Sequence, residues 1–157
     1  MATPKASAMD DSEFWNDVHA AARNSNRAYL ATTDNGQPKV RVVFPGFEDR
    51  VLWIATQPRS AKALQIAHDP RVELFYEVGA QRPLAHLTVT GKARLIDALD
   101  EKIRVWNMRL FGYDLGEFWP AGPESTDLVL IRIDPTRIEL GTQPAMWQGQ
   151  KPRVWKA

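Results

Sequence analysis

The sequence contains no cysteine, no long apolar run and almost no net charge. The lack of cysteine excludes disulfides, thiolate metal sites and cysteine nucleophiles. No run approaches the roughly 20 apolar residues that span a bilayer, and the N-terminus lacks the apolar stretch of a signal peptide. We therefore expect a cytoplasmic protein with no membrane partner. Lys and Arg number 20 against 19 Asp and Glu, which argues against a nucleic-acid binder that depends on bulk charge.

Familiar catalytic motifs are also missing. There is no G-x-G-x-x-G, no P-loop, no H-E-x-x-H and no nucleophile elbow. The three histidines, His19, His68 and His86, are too dispersed to indicate a metal cluster, so we expect no metal. Ser60 and Lys62 are separated by one residue and do not form the S-x-x-K nucleophile pair. No residue has a clear acid or base role, and no catalytic residue is assigned.

The 157 residues, 44% of them hydrophobic and 25% charged, fit one globular domain. We expect a disordered leader over residues 1–11, a folded domain over 12–140 and an aromatic, basic tail over 141–157. About seven strands joined mostly as hairpins, with helices inserted between them, predict a mainly β protein with helices (α+β). The architecture that this order favours is an antiparallel barrel.

The predicted elements follow from hydrophobic periodicity and from capping residues. Helices are predicted after Ser12, Ser60 and Asp97, and Gly91 is predicted to mark either a bulge or a close backbone approach. A loop rich in glycine, proline and aromatic residues covers 111–123. The predicted strands are 29–33, 39–44, 51–56, 72–78, 84–95, 127–133 and 137–140, with the last two on either side of Asp134-Pro135.

The most informative polar residues lie on the predicted strand 39–44 and in the turn that follows the predicted strand 51–56. Arg41 projects from an otherwise apolar strand, and residues 56–62 lead from a strand into a helix that begins after Ser60. The free N–H groups of a helix start, the Ser60 hydroxyl and the charges of Lys62 and Arg41 together suit a phosphate. A capped helix with solvated basic residues explains the same pattern, and the residues alone leave both interpretations open.

The order and spacing of several segments make the chain similar to the FMN-binding split barrel of pyridoxamine 5′-phosphate oxidase relatives. Its nearest branch is the short bacterial general stress proteins, and the resemblance covers roughly residues 12–140. The segments that carry it are Arg41-Val-Val-Phe44, Trp53-Ile-Ala-Thr56, Ser60-Ala-Lys62, Asp69-Pro-Arg-Val72, Val89-Thr-Gly-Lys-Ala93 and Ile131-Arg-Ile-Asp-Pro135.

This resemblance implies a homodimer with an FMN in each of two clefts between the subunits; the residues do not separate FMN from FAD. The phosphate would be bound by Arg41, Ser60 and Lys62. The ribityl chain and ring would be flanked by the backbone of Val42, Val43 and Phe44 and by Ala55 and Thr56. His86 and Thr88 of the partner subunit would reach the polar edge of the ring. Without the resemblance, His86 is a half-exposed strand residue with an ordinary hydrogen bond.

The chain departs from the oxidase in two places. The oxidase usually has Ser-Arg-Lys at the phosphate turn, and here Ala61 replaces the arginine. Losing one charged hydrogen bond weakens binding by about 1.5–3 kcal/mol, or roughly ten- to a hundredfold. The chain also lacks the longer C-terminal segment that recognises pyridoxamine phosphate in the oxidase. Both departures argue against pyridoxamine phosphate as the substrate.

The tail contributes two tryptophans, Trp147 and Trp155, among glycine, proline and basic residues. Our hypothesis is that one of them covers the flavin ring as a lid and excludes water. The alternative is a tail that packs on its own barrel or remains disordered.

The sequence thus predicts a flavin-binding protein linked to the general stress response. It is expected to act as an FMN-dependent oxidoreductase on an unidentified small-molecule redox partner. One alternative is a flavin-binding sensor or store without turnover. A second, from another class, is a barrel that binds single-stranded nucleic acid through exposed tryptophans, and the net charge of +1 argues against it.

Overall fold

The computed structural model describes residues 11–25, 27–78 and 85–157. The first helix, α1 (Asp11–Arg23), begins at Asp11, which the sequence had assigned to the disordered leader. The rest of that predicted leader, residues 1–10, lies outside the described residues.

Eight strands form one antiparallel sheet in the order β2-β1-β5-β6-β7-β4-β3, with β8 paired to β7. The strands are β1 (Ala28–Asp34), β2 (Gln37–Val43), β3 (Gly46–Glu48), β4 (Val51–Thr56), β5 (Arg71–Val78), β6 (Ala85–Ile96), β7 (Val129–Thr142) and β8 (Arg153–Lys156). The remaining helices are α2 (Ala61–His68), α3 (Leu99–Met108) and α4 (Gln143–Trp147), with short 3₁₀ turns at Leu115–Glu117 and Gly122–Glu124.

Local sequence signals account for most of these boundaries. Asn35 and Gly36 both have positive φ, 48° and 84°, which gives the tight β1–β2 hairpin the twist that its strands need. Ser60 caps α2 by accepting a hydrogen bond from the Ala63 N–H, as its position before the apolar stripe predicted. The first helix buries Phe14 and Val18 against the sheet.

The C-terminal half of the barrel contains one long strand, β7, where the sequence predicted two. Pro135 has no N–H to donate and was expected to end a strand. In the structure it lies opposite Gly91, and the register of β6 and β7 shifts between Thr90 and Gly91. This bulge, which the sequence predicted at Gly91, takes Thr136 out of the pairing and lets β7 continue past the proline.

Three further predictions need correction. Asp97 does not cap α3: the N-cap is Ala98, and the Asp97 carboxylate instead accepts a hydrogen bond from Lys102 Nζ at 3.1 Å. The short strand β3 was not predicted, because three residues are too few to show alternation. In the tail, α4 and β8 were not predicted either, and β8 adds to the sheet beside β7.

Two apolar clusters hold these elements together. The larger cluster joins α1 to the inner face of the sheet. The smaller one fixes α3 and the loop after it against β4 and β7, and its buried members are Trp53, Ala55, Val105, Phe111, Leu115, Trp119, Leu128 and Leu130. Among the helices that the structure describes, none is long and apolar enough to cross a membrane.

Candidate functional site

A cavity of about 460 Å³ opens where β2 and β4 end, next to the start of α2. This volume lies within the roughly 300–1,000 Å³ of small-molecule sites. One wall comes from residues that the sequence singled out: Phe44, Ala55, Thr56, Ser60 and Lys62. The loop after α3 was not predicted as part of a site, yet it also lines the cavity, with Gly112, Tyr113, Phe118 and Trp119; Gln57 completes the lining.

The polar end of the cavity is the turn from β4 into α2. Ser60 Oγ accepts hydrogen bonds from the Ala63 N–H at 3.3 Å and from the Thr56 hydroxyl at 3.1 Å. With both of these accepted, the Ser60 hydroxyl proton is free to donate to a ligand. The first N–H groups of α2 have no intrahelical partner, and they add a partial positive charge beside Lys62.

Lys62 lines this end of the cavity, and the charge of nearby Arg41 acts on it, although Arg41 itself is not among the lining residues. Burial, and then the charge of Arg41, lower the pKa of Lys62. Lys62 makes no hydrogen bond or ion pair with any residue that the structure describes. Burial also lowers the pKa of Arg41, whose hydrogen bonds all go to neutral oxygens. Two cations that meet without a carboxylate form an electrostatic site for an anion.

The Arg41 guanidinium is held by hydrogen bonds to neighbouring elements. It donates to the Thr32 hydroxyl at 2.6 Å and to the Gln65 side-chain oxygen at 2.7 Å. Thr32 is 2% exposed and itself donates to Gln65 at 2.6 Å. Neither Thr32 nor Gln65 carried a sequence signal, because they lie 33 residues apart and meet only when α2 packs on β1.

The other end of the cavity is aromatic. Tyr113 contacts Phe44 edge to face with ring centroids 5.9 Å apart, and Phe118 at 5.4 Å. Burial raises the pKa of the Tyr113 hydroxyl, so that it stays neutral. Trp119 fixes the loop by donating from Nε1 to the Asp127 carbonyl at 2.9 Å. The site therefore combines a cationic end with an apolar end that is lined by aromatic rings.

The outer face of the sheet next to this cavity is unusually apolar. Val42 pairs with Tyr29, and Tyr29 pairs with Phe75, so that the three side chains form a row across three strands. They are 46%, 36% and 37% exposed, and Val40 beside them is 65% exposed. Exposed apolar surface of this kind is typical of interaction sites. Val43, by contrast, points into the core and is 3% exposed.

His86 and Thr88 continue this row on β6. Thr88 pairs with Phe75, and the His86 ring contacts the Phe75 ring with centroids 5.9 Å apart. His86 Nε2 lies 3.6 Å from a Glu139 carboxylate oxygen, too far for a hydrogen bond. Neither residue lines the cavity of its own chain. Their predicted contact with a flavin in the partner subunit therefore stays a prediction.

The two tail tryptophans have different surroundings. Trp155, on β8, packs edge to face on Trp15 of α1 with ring centroids 5.1 Å apart. Arg153 ties the same strand to α1 by donating to Asp17 at 2.7 Å. For Trp155 the structure thus agrees with a tail that packs on its own barrel. Trp147, on α4, is 93% exposed, and its role as a lid remains a prediction.

The matched sequence family agrees with this fold. Residues 14–140 match the family described as pyridoxamine 5′-phosphate oxidase. Because the match covers most of the chain, the protein belongs to this family. The antiparallel sheet with its helices is the split barrel of that family, as the sequence resemblance predicted.

Relatives of the chain carry the general stress protein description. General stress protein 26 of Bacillus subtilis (strain 168) is 26% identical over 112 residues, which cover 71% of this chain and 76% of that protein. The crystal structure of general stress protein 26 from Bacillus anthracis superposes with a TM-score of 0.71 at 22% identity, over 92% of this chain and 99% of that one. The predicted branch of the family is therefore confirmed.

A further solved structure with this fold is a heme binding protein from Mycobacterium smegmatis. It matches with a TM-score of 0.69 at 18% identity, over 100% of this chain and 59% of that one. At this identity the match establishes a shared fold.

Proposed function

We propose that this protein binds FMN, with the phosphate at the cationic end of the cavity and the ring at the aromatic end. The observation that carries the proposal is the pair Arg41 and Lys62, two neighbouring cations without a carboxylate partner among the described residues, at a helix start. The Ser60 hydroxyl and the α2 N–H groups add uncharged donors for phosphate oxygens. Phe44 and Tyr113 supply apolar contacts for a planar ring.

The proposed functional unit is a homodimer that pairs through the apolar outer face of the sheet. Burial of Val42, Tyr29 and Phe75 against a second copy would remove exposed apolar surface from water. Phe44 borders both this face and the cavity, so that a partner would lie next to the flavin. His86 and Thr88 of the partner are then the residues that would reach the ring.

We further propose that the chain is an FMN-dependent oxidoreductase with a role in the general stress response and does not oxidise pyridoxamine phosphate. Bound FMN would supply the hydride or electron transfer, and the protein would bind it, orient it and exclude water. The oxidase arginine is replaced by Ala61. This replacement argues for a substrate other than pyridoxamine phosphate.

A flavin-binding protein without turnover is the second candidate. The observation that favours it is the cavity lining, in which the titratable side chains are Lys62 and Tyr113, with no carboxylate or imidazole. Steady-state oxidation of NADH or NADPH by the FMN-loaded protein separates the two candidates. Turnover above that of free FMN supports the oxidoreductase, and a rate equal to that of free FMN supports the sensor or store.

The experiment that tests FMN binding itself is a titration of the purified protein with FMN. We expect a shift of the visible flavin absorbance and quenching of flavin fluorescence that saturate at one FMN per chain. A protein that leaves the spectrum and the fluorescence of FMN unchanged would contradict the proposal.

A further inference from the structure

The Arg41 guanidinium is fixed by neutral oxygens from three directions. Its Nη1 donates to the Thr32 hydroxyl at 2.6 Å and to the Leu30 and Lys39 carbonyls at 3.2 and 3.3 Å. Its Nη2 donates to the Gln65 side-chain oxygen at 2.7 Å. Because none of these partners is charged, the guanidinium is oriented while its positive charge is left uncompensated.

Part of the guanidinium remains free to bind a ligand. The Nε–H makes no hydrogen bond with a described residue, and Gln65 occupies one of the two hydrogens on Nη2. Gln65 lies three residues after Lys62 on α2, a spacing that places both side chains on the same side of the helix. Gln65 therefore couples the position of Arg41 to the helix that carries the second cation.

We propose that Gln65, together with the buried Thr32, is a positioning residue that holds Arg41 beside Lys62 and makes the site selective for a phosphate monoester dianion. This inference rests on the proposed function and identifies residues that act through Arg41. The neutral amide is essential to it. A carboxylate of the same shape at position 65 would form an ion pair with Arg41. It would thereby neutralise the positive charge that otherwise attracts the phosphate of the ligand.

The direct test is Gln65→Glu, titrated with FMN and with riboflavin, which lacks the phosphate. We expect the Kd for FMN to rise roughly ten- to a hundredfold, since a charged hydrogen bond is lost and a repulsive charge is gained, while the Kd for riboflavin changes little. The matched control is Gln37→Glu, which makes the same charge change at an exposed position of β2. It should keep the preference of the wild type for FMN.

A second variant, Gln65→Leu, covers the case in which the glutamate disturbs folding. It removes the acceptor without adding charge, and we expect a smaller loss of the preference for FMN over riboflavin. A purely structural role for Gln65 would change the affinities for FMN and riboflavin together. An FMN-to-riboflavin ratio equal to that of the wild type in both variants would overturn the inference.

A titration with inorganic phosphate distinguishes a failure of this inference from a failure of the proposed function. The Nε–H resonance of Arg41 in an NMR spectrum should shift on addition of phosphate to the wild type and shift much less in Gln65→Glu. If the wild type shows this shift but does not bind FMN, the positioning role stands and the flavin assignment fails. If the resonance does not respond in the wild type, or responds equally in Gln65→Glu, the positioning role is contradicted.

Discussion

The ring of Tyr113 meets the ring of Phe44 edge to face at 5.9 Å, and this contact joins the loop after α3 to the end of β2. Both rings line the cavity that Lys62 also lines. We therefore expect Tyr113→Ala to weaken FMN and riboflavin by a similar factor, about tenfold, because the lost aromatic contact concerns the ring that both share. Fluorescence titrations with both flavins measure this. A loss of affinity for FMN alone would contradict this account, because it would mean that Tyr113 contacts the phosphate and not the ring.

Restoring the arginine that the oxidase has at the phosphate turn should strengthen binding. Ala61→Arg places a guanidinium on an exposed position in the first turn of α2, within reach of a phosphate at Lys62. We expect FMN affinity to rise roughly tenfold, from one added charged hydrogen bond, with riboflavin affinity unchanged. Ala67→Arg, which adds the same charge to an exposed site near the other end of α2, is the matched control. Equal gains in both variants would mean that bulk charge alone is responsible.

A charge on the apolar outer face should prevent dimerisation. Val42→Lys puts an ammonium in the centre of the proposed interface, where pairing would bury it without a partner. We expect a folded monomer by analytical ultracentrifugation, and weaker FMN binding if the partner completes the site. Val154→Lys changes a similarly exposed valine on β8 and should leave the association state of the wild type intact. A dimer that persists in Val42→Lys would exclude this face as the interface.

Alanine substitutions of the two tail tryptophans should have different effects on stability. Trp155→Ala removes the contact with Trp15 and should lower the free energy of unfolding by about 2 kcal/mol, less than for a fully buried tryptophan. Trp147→Ala should change it by less than about 0.5 kcal/mol, because the side chain is 93% exposed. If Trp147 covers the flavin, its removal should instead weaken flavin binding and raise the fluorescence of the bound flavin. Flavin affinity equal to that of the wild type would rule out the lid.

The fold was predictable where the sequence repeats a local pattern. Alternation identified β2, the apolar run after the polar break at 48–50 identified β4, and Ser60 before an apolar stripe identified the start of α2. Local signals failed for β7, because the bulge that lets the strand pass Pro135 depends on pairing with β6. The paired tail strand β8 shows no periodicity strong enough to separate it from a loop.

The candidate site was predictable only in part, for the same physical reason. Lys62 and Ser60 stand out because a helix start with basic and hydroxyl side chains has a known affinity for anions. Tyr113 and Phe118 come from an aromatic loop without regular spacing, and their approach to Phe44 is a tertiary contact. Gln65 likewise could not be identified from the sequence, because its hydrogen bond with Arg41 depends on the packing of α2 on β1.

The measurement that tests the central claim most directly is the preference for FMN over riboflavin in the wild type and in Lys62→Gln. The account predicts that the wild type binds FMN more tightly, and that Lys62→Gln raises the Kd for FMN roughly ten- to a hundredfold while leaving the Kd for riboflavin unchanged. Arg59→Gln, an exposed cation just before α2 that does not line the cavity, should keep the full preference. A wild type that binds neither flavin, or that binds both equally, would contradict the assignment of this site to the FMN phosphate.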